Sequence, residues 1–440
     1  MAFVPSLLTG KGSYDQAAPL IALSAFGPQD EFLYDKESKF RPSTRQHTNF
    51  AQFHRVTKLP GTKFIGQTVT VEMDPKQFGD IFTNIYLALS LPPIVDAAWT
   101  DQIGRAIIDK IEFRIGDEII EKVTDDWLIL HDQLFLDAEE KLSMFKAING
   151  GYVEGSDTPG TQQLDLFIPL EFFFCRRHSH ADQKPQRLEV PGLPVCALKN
   201  TKISFKFFFR PQLWFTNYAT PIEFINPRLI TEEILLTPEE RLYYQTRDFQ
   251  LVIQRFKNES VQEFSDGRPT LNFSANFPVT TMLWFIRKKE FESLSSVYFG
   301  SRYAYGYTSK YLQTAIPLVA FDGAVGRYID PIDYCDIYLN GRNIMGTFAT
   351  GPFFTFKQPM EHGLSVPTKS IWTYCFGLSP REYNQGGYLN FEKINADTSK
   401  LVIKFNPDYA ADINTNYSIN LYYYGYAILR FSGGTARLQN

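Results

Sequence analysis

One stretch near the middle of the chain, residues 201–245, most constrains the fold. It begins with residues 201–209, in which the apolar residues 203, 205, 207 and 209 fall on one face and the polar residues 202, 204 and 206 on the other. That period of two is typical of a β-strand with one face in a core. Prolines interrupt the connector that follows, and the sequence TPEE at residues 237–240 then combines a threonine N-cap, a proline at the first helical position and a capping glutamate. The stretch predicts that one all-β unit closes near residue 215 and a second opens near residue 223.

The same alternation recurs along both halves of the chain. Each half also carries a dipeptide that favours a two-residue hairpin turn, Gly116-Asp117 in the first and Asn340-Gly341 in the second. The predicted strands cover residues 68–73, 81–91, 111–115, 118–120, 164–170 and 201–209 in the first half, and residues 249–256, 281–286, 336–340, 401–405 and 417–431 in the second. Short strands bounded by glycine and proline turns predict an all-β protein.

A helical segment interrupts the strands of the first half. Asp125 or Asp126 is the predicted N-cap, because a short acidic side chain accepts hydrogen bonds from the first turn. Two apolar faces follow at helical spacing, made first of Trp127, Leu130 and Leu134, and then of Ala138, Leu142 and Phe145. Short helices are therefore expected in the loops and in the linker of an otherwise all-β chain.

The order of landmarks indicates an internal duplication. The turn glycine Gly116 matches Gly341, and the strand residue Ile203 matches Ile419. Large units with many short strands and long loops favour a jelly roll over an immunoglobulin-like sandwich. The chain is thus predicted to be all-β, with two tandem antiparallel jelly-roll β-sandwiches (a double jelly roll). The predicted divisions are an N-terminal arm at residues 1–26, a first jelly roll at 27–222 and a second at 223–440.

The charge balance and the cysteines limit the classes of function. The chain has 44 basic and 48 acidic residues and a formal net charge of −4, so no basic excess predicts a specific nucleic-acid partner. Four dispersed cysteines without a C-x-x-C pair are typical of free thiols in a reducing compartment. No signal-peptide pattern opens the sequence, and we therefore expect a protein that is not secreted.

Two groups of residues have spacing that resembles a metal site. His178 and His180 alternate along the chain, but Arg176 and Arg177 beside them repel a cation, so an exposed polar loop is the preferred interpretation. The acidic residues Asp330, Asp333 and Asp336 lack the spacing and the terminal glutamate of a calcium loop. A solvated loop that enters a strand is preferred there over a structural cation.

Three further patterns were weighed as reactive or anion-binding sites. The pairs Asp125-Asp126 and Glu139-Glu140 have the residue types of a glycosidase, but helix caps and solvated turns explain them better. Residues 9–13 (TGKGS) fail as a phosphate loop, because the first glycine of that motif is missing. The basic run at residues 287–289 is interpreted as a surface at a strand end. No catalytic, cofactor-binding or metal-binding residue is assigned, and no enzymatic activity is predicted.

Aromatic triplets are the remaining feature that requires an explanation. They lie at residues 172–174, 207–209 and 422–424, and each places aromatic rings on both faces of a strand. One face fills the core of a sandwich, whereas the other needs cover from the companion sandwich or from a neighbouring subunit. Cover by the companion sandwich is the preferred interpretation.

Several motifs, in a fixed order, resemble one protein family. Residues 22–33 (ALSAFGPQDEFL) and 45–51 (RQHTNFA) are similar to the N-terminal signatures of the major capsid proteins of nucleocytoplasmic large DNA viruses, a family with related polinton-like and virophage capsids. Further similar segments lie at residues 166–174 (LFIPLEFFF), 238–241 (PEER), 376–380 (FGLSP), 387–391 (GYLNF) and 424–434. The ordered set spans most of the chain.

This resemblance implies a structural shell protein. Members of the family are expected to form homotrimeric, pseudo-hexameric capsomers that contact neighbouring capsomers, minor capsid or cement proteins and penton proteins in an icosahedral virion. The arm at residues 1–26 is then expected on the inner face, beside minor proteins or an internal membrane. Synthesis is expected in the host cytoplasm or a virus factory.

Two alternatives stay open from the residues. A carbohydrate-binding or glycan-degrading β-sandwich protein would use exposed tryptophan and tyrosine as a sugar platform. A scaffold like that of poxviruses would share the fold and differ only by a transient presence during assembly.

Overall fold

The computed structural model describes residues 51–152, 158–175, 192–199, 201–259, 262–263, 268–273, 275–289, 330–346, 349–381, 386–407 and 417–439. The strands up to the linker are β1 (Ala51–Lys58), β2 (Thr68–Met73), β3 (Ile81–Leu91), β4 (Ala98–Trp99), β5 (Ile108–Ile115), β6 (Glu118–Thr124), β7 (Thr158–Pro159), β8 (Leu164–Pro169), β9 (Leu193–Pro194), β10 (Ile203–Phe209) and β11 (Ile225–Leu235). The strands after it are β12 (Phe249–Asn258), β13 (Gln262–Glu263), β14 (Thr270–Asn272), β15 (Pro278–Lys288), β16 (Ile332–Leu339), β17 (Arg342–Asn343), β18 (Trp372–Cys375), β19 (Leu389–Asn390), β20 (Lys400–Phe405), β21 (Tyr417–Ser432) and β22 (Thr435–Gln439).

Short helices connect these strands. They are α1 (Ile103–Ala106), α2 (Asp125–Leu134), α3 (Ala138–Ile148), α4 (Pro238–Thr246) and α5 (Gln358–Glu361), with a π-helical turn at Phe353–Lys357 that continues into α5. Single 3-10 turns lie at Pro75–Gln77, Val195–Ala197, Gln212–Trp214 and Phe391–Lys393. No helix in the described part of the chain is long and apolar enough to cross a membrane.

The strands form two sandwiches that share one topology. In the first sandwich one sheet has the order β1-β11-β3-β8 and the other β2-β10-β5-β6. In the second sandwich the corresponding orders are β12-β21-β15-β18 and β14-β20-β16-β17. We name each sheet after its first strand: the β1 and β2 sheets, and the β12 and β14 sheets. The strand pairs in these sheets are antiparallel, and the all-β double jelly roll predicted from the sequence is confirmed.

Alternation along β10 fixes the core of the first sandwich. Ile203, Phe205 and Phe207 point inward and are fully buried. Phe205 lies opposite Val71 in β2 and opposite Phe113 in β5, and the rings of Phe113 and Phe205 stack with centroids 5.1 Å apart. A one-residue slip would turn these rings to the other face, so burial of the aromatic face specifies the register of the sheet.

The duplication is present, but one of the two predicted landmarks is wrong. Gly116 and Gly341 do occupy equivalent turns, between β5 and β6 and between β16 and β17, and both have positive φ (61° and 79°). The predicted match of Ile203 with Ile419 fails, because β10 corresponds to β20 by its place in the sheet order, and β21 corresponds to β11. Both pairs are apolar strands, so alternation alone does not tell them apart.

Strand pairing also moves the boundary between the sandwiches. The sequence predicts it at residues 222–223, before β11. That strand pairs with β1 and with β3, and it therefore belongs to the first sandwich. Helix α4 follows, and the Thr237 side chain caps it by accepting a hydrogen bond from the backbone N–H of Glu240, as the TPEE sequence predicts. We place the boundary in this linker, between Leu235 and Phe249; residues 1–50, with the arm, lie outside the described residues.

Helices α2 and α3 begin where the sequence did not predict. Thr124 caps α2 by accepting a hydrogen bond from the N–H of Trp127, so neither Asp125 nor Asp126 is the N-cap. Asp137 begins α3 with a reciprocal capping box, a motif that the sequence reading missed. Every residue of α2 is buried, because protein surrounds the helix on all sides.

The apolar face predicted for α3 is wrong at two of its three positions. Phe145 is buried as expected, but Ala138 is exposed and the Leu142 side chain is 48% exposed. A helix with only one buried stripe leaves any residue off that stripe in solvent, whatever its polarity.

Candidate functional site: the junction between the two sandwiches

An aromatic stack joins the two sandwiches. Trp127 of α2 is fully buried, and its ring stacks on Phe256 of β12 with centroids 4.0 Å apart. The Tyr424 ring of β21 lies 5.4 Å from Trp127, and Phe135 meets Tyr424 edge-on at 4.9 Å. Phe256 and Tyr424 are directly opposite each other in the β12 sheet and share its outward face. The first sandwich therefore inserts a helix against the outward face of a sheet in the second.

A buried ion pair lies in the same junction. The Arg287 guanidinium of β15 binds both carboxylate oxygens of Asp126, with Nη1 3.1 Å from Oδ2. The two side chains are 1% and 6% exposed. Arg287 was predicted to be part of a surface basic run and Asp126 a helix cap, and both predictions are wrong. A bidentate arginine–carboxylate pair fixes orientation as well as distance, so it holds α2 and β15 in one alignment.

The neighbouring carboxylate Asp125 is held from within the first sandwich. Its Oδ2 atom lies 2.7 Å from Nη2 of Arg210, which also contacts Asp109 at 2.8 Å. Asp125 and Asp126 are both buried, and each faces an arginine. These two buried carboxylates stabilise the fold, and they are not positioned to act as the catalytic pair of a glycosidase.

Tyr422 extends the polar part of the junction. Burial raises the pKa of its phenol well above the usual range, and the negative charge of Asp126 raises it further. The phenol is hydrogen-bonded to the Thr124 side chain, the same group that caps α2. The residue thus links β21 to the start of the helix as a neutral hydroxyl.

The C-terminal end of α2 accepts hydrogen bonds from the backbone of the second sandwich. Ser365 donates its N–H to the carbonyl of Leu134 at 2.8 Å, and Thr368 donates its N–H to Oε1 of Gln133 at 2.8 Å. From α3, Lys141 donates to the carbonyl of Val366 at 3.2 Å. Hydrogen bonds are directional, whereas apolar packing is not. These bonds therefore restrain the orientation of α2 in addition to the aromatic stack.

A second buried ion pair supports α2 from the opposite side. Arg105 of α1 donates from Nε to Oδ2 of Asp132 at 2.8 Å and from Nη2 to Oδ1 at 2.9 Å. Burial alone would raise the pKa of Asp132, but the charge and hydrogen bonds of Arg105, together with the nearby His131 ring, outweigh it and lower that pKa. The carboxylate is therefore ionised in the folded protein and anchors α2 to α1.

Replacing Asp132 with asparagine is expected to lower the free energy of unfolding at pH 7 by about 2 kcal/mol, the typical contribution of a charge-assisted hydrogen bond. Because the folded pKa of Asp132 is depressed, its stabilisation is complete above the unfolded value of about 3.9 and is lost as the pH falls through the folded value. Urea unfolding at pH 7, 4 and 3 measures the difference between wild type and D132N, which should shrink below pH 4. A difference that stays constant with pH would contradict this role of the charge.

The acidic residues near β16 each have their own binding partners. Asp330 is buried and accepts hydrogen bonds from the Trp372 indole at 3.2 Å and from the Ile332 N–H at 2.8 Å. A Cβ atom on Gly351 would lie 2.2 Å from the Asp330 carboxyl carbon, so this site requires glycine. The predicted solvated loop is therefore wrong at Asp330, which organises a buried turn.

The other two acids of this run bind different partners. Asp333 pairs at the surface with Lys404 at 3.1 Å. Asp336 is buried and contacts Asn343 at 3.0 Å and Arg268 at 3.3 Å. Within the described residues no group of three histidine, cysteine or acidic side chains is arranged to hold a metal ion. His178, His180 and the residues 9–13 lie outside the described part of the chain.

The last predicted carboxylate pair lies on α3. Glu140 accepts the capping hydrogen bond of Asp137 and lies 3.5 Å from Arg381 of the second sandwich, whereas Glu139 is exposed. The cap interpretation is correct for Glu140, which also contributes to the contact between the sandwiches.

The aromatic triplets are covered in two ways. Residues 172–174 lie in a turn after β8 and not in a strand as predicted, and they are all buried in the core of the first sandwich. Residues 422–424, in β21, are all buried as well. Tyr423 faces the core of the second sandwich, while Tyr424 is covered by α2. The prediction that the companion sandwich supplies the cover is confirmed for Tyr424. Phe208 instead lies on an outward face, beneath the ammonium groups of Lys110 and Lys206 at 4.3 and 5.1 Å.

Sequence reasoning missed the residues that hold the junction together. Arg105 and Arg287 carry no local signature, because their partners lie 27 and 161 residues away along the chain. Thr124 is a local N-cap, which the sequence prediction placed one or two residues too late. Trp127, an aromatic residue at the start of an amphipathic segment, was one available signal, and the aromatic triplet at residues 422–424 was another.

Two sandwiches of one strand order, joined through the buried helix α2, define the class of double jelly-roll proteins. Comparisons with known proteins identify the family within this class. A family model described as "Major capsid protein N-terminus" matches residues 38–229, and a second, "Large eukaryotic DNA virus major capsid protein", matches residues 239–437. The chain belongs to this family of viral major capsid proteins. The interval between the two matches, residues 230–238, ends at the first residue of the linker helix α4.

Individual relatives agree with the family models. The major capsid protein of Pyramimonas orientalis virus is 24% identical, over 95% of this chain and 98% of that protein. Among solved structures, PBCV-1 VP54 fitted into a reconstruction of the virophage Sputnik gives a TM-score of 0.72 at 18% identity, and covers 92% of this chain and 100% of that one. The Faustovirus major capsid protein gives 0.66 at 11% identity, with coverage of 94% and 97%. The protein is a capsid protein of virions, and its fold is the double jelly roll of these shells.

Proposed function

We propose that three copies of this chain associate into a pseudo-hexagonal capsomer and that such capsomers tile an icosahedral shell. The observation that carries the proposal is the pair of sandwiches with one strand order, joined through the buried helix α2. Two similar units in a fixed relation allow three chains to present six near-equivalent sides, and closed symmetry then gives a block that packs on a plane. The work of the protein is thus contact between complementary surfaces, without an enzymatic step.

Further partners follow from a place in a shell. Neighbouring capsomers, minor capsid or cement proteins and penton proteins would contact the outer edges of the trimer. The arm at residues 1–26 would reach minor proteins or an internal membrane on the inner side. Synthesis in the host cytoplasm or a virus factory, without secretion, agrees with four cysteines that the sequence disperses.

The trimer itself is directly testable. Light scattering on the purified chain at micromolar concentration is expected to give a mass three times that of one chain, because obligate interfaces of this kind bury thousands of Å². Negative-stain images of the same sample should show particles with a hexagonal outline. A stable monomer at that concentration would contradict the proposal.

A further inference from the structure

The contact between the two sandwiches follows a simple rule. The segment between β6 and β8 in the first sandwich provides α2, and α2 covers the outward face of the β12 sheet in the second. By strand order, the β12 sheet is equivalent to the β1 sheet, and the segment between β17 and β18 is equivalent to the one that provides α2. Each sandwich thus has one sheet equivalent to the sheet that α2 covers, or that sheet itself, and one segment equivalent to the segment that provides α2, or that segment itself.

The equivalent face of the first sandwich, on the β1 sheet, is open within the described chain. One apolar row crosses the β1 sheet, because Val56 lies opposite Ile230 and Ile230 lies opposite Tyr86. The Phe167 ring continues this row, with its centroid 4.7 Å from that of Tyr86. The side chains at the two ends, Val56 and Phe167, are 58% and 41% exposed.

A cleft of about 840 Å³ lies beside this row, between the β1 sheet and α3. We name it the β1 cleft. Tyr86, Met144 and Pro169 give it an apolar lining. Four glutamates, at positions 139, 140, 171 and 232, also line it, and its described lining contains no lysine or arginine. An occupant with apolar side chains and without an added negative charge is therefore favoured.

The equivalent helix of the second sandwich has a matching surface. It consists of the π-helical turn Phe353–Lys357 and α5. Met360 on this helix is 69% exposed, and Phe356 is 37% exposed. Lys357 lies between them in sequence, with 57% of its side chain exposed, and its Nζ atom lies 3.5 Å from Oε1 of Glu361 on the same helix. The two charges offset each other, so the surface offers exposed apolar side chains that suit the apolar part of the β1 cleft, without an unbalanced negative charge.

We propose that the helix at residues 353–361 of one copy docks in the β1 cleft of the next copy. This repeats between chains the contact that α2 makes inside each chain. The contact is head-to-tail, and a head-to-tail contact closes into a ring when the rotation between units permits it. With one such contact inside each chain and one between chains, three chains complete the ring. The inference rests on the proposed trimer and names the surfaces that form it.

Charge substitutions at Met360 test the contact. M360E adds a carboxylate beside four glutamates and is expected to raise the concentration at which the trimer dissociates by about 100-fold or more, whereas M360K should leave it nearly unchanged. The matched controls are V95E and V95K, because Val95 is 71% exposed and lies outside the cleft lining. Light scattering over a dilution series measures all four variants. Equal trimer stability of M360E, M360K and the Val95 variants would overturn the proposal.

Cross-linking separates this contact from trimer formation in general. The double variant M360C/Y86C, treated with a short bismaleimide, is expected to give covalent oligomers on a denaturing gel. M360C/F167C provides a second pair if the change at Tyr86 impairs folding, and the single variants report reaction with the native thiols. A trimer by light scattering with no cross-link in either pair would overturn the docking and leave the trimer standing, with another segment in the cleft. A monomeric wild-type chain would overturn both.

Discussion

Replacing Arg287 with methionine is expected to lower the free energy of unfolding by about 3–5 kcal/mol, the usual cost of removing one partner from a buried ion pair. Arg287 and Asp126 are 1% and 6% exposed at the side chain, so water does not replace the lost guanidinium. The Asp126 carboxylate would remain near Asp125 and near the phenol of Tyr422. Urea denaturation followed by circular dichroism measures the loss.

A double-mutant cycle distinguishes the ion pair from simple packing. Removing both charges in R287M/D126N is expected to restore a large part of the stability, because no buried charge is then left without its original partner. K289M is the control on the same segment, since Lys289 is only partly buried and a change there should stay within about 0.5 kcal/mol. If the double variant loses as much free energy of unfolding as the two single variants together, or more, the pairing is contradicted.

Replacing Trp127 with alanine is expected to cost about 3–5 kcal/mol, the range for large aromatic truncations in cores. The indole is fully buried between Phe256 and Tyr424, which both belong to the second sandwich. The cavity would open at the junction itself. We therefore expect the single unfolding transition of the wild type to split into two in calorimetry, as the sandwiches lose their coupling.

Two matched variants test whether the effect of W127A depends on the place of Trp127 in the junction. W99A removes an equally buried indole that stacks on Phe215 inside the first sandwich, so it should destabilise that unit without adding a transition from loss of the junction. W127F keeps a ring in the stack and should cost less than W127A. A W127A profile that matches wild type in midpoint and shape would show that the stack contributes little to coupling.

The strands were predictable because the alternation of apolar and polar residues along each one shows which of its faces is buried. Alternation in β10 and the glycine turn at Gly116 depend on neighbours within a few residues, and the structure confirms both. The place of β11 was not predictable in the same way. Its pattern would suit either sandwich, and only hydrogen bonds to β1 and β3 decide the question. Local pattern thus specifies strands, whereas strand partners are set by long-range packing.

The junction also shows that local pattern does not reveal contacts between residues far apart in the sequence. A pair of aspartates at the start of a helix has an ordinary local explanation as a cap, and Thr124 one residue earlier satisfies the cap instead. The partner of Asp126 lies 161 residues further along the chain, so the sequence offers no nearby sign that both aspartates are buried. The aromatic triplet at residues 422–424 was informative, because an excess of rings on both faces demands cover from somewhere.

The pairing of β1 with β11 has a consequence for synthesis. Ala51 lies opposite Leu235, and β11 sits between β1 and β3 in the finished sheet. Until the ribosome has released residue 235, the nascent chain therefore presents two unsatisfied strand edges with an apolar face behind them. Such edges recruit strands from other chains, and polysomes hold many nascent copies close together. Completion of the first sandwich is therefore expected only after residue 235 has left the ribosome.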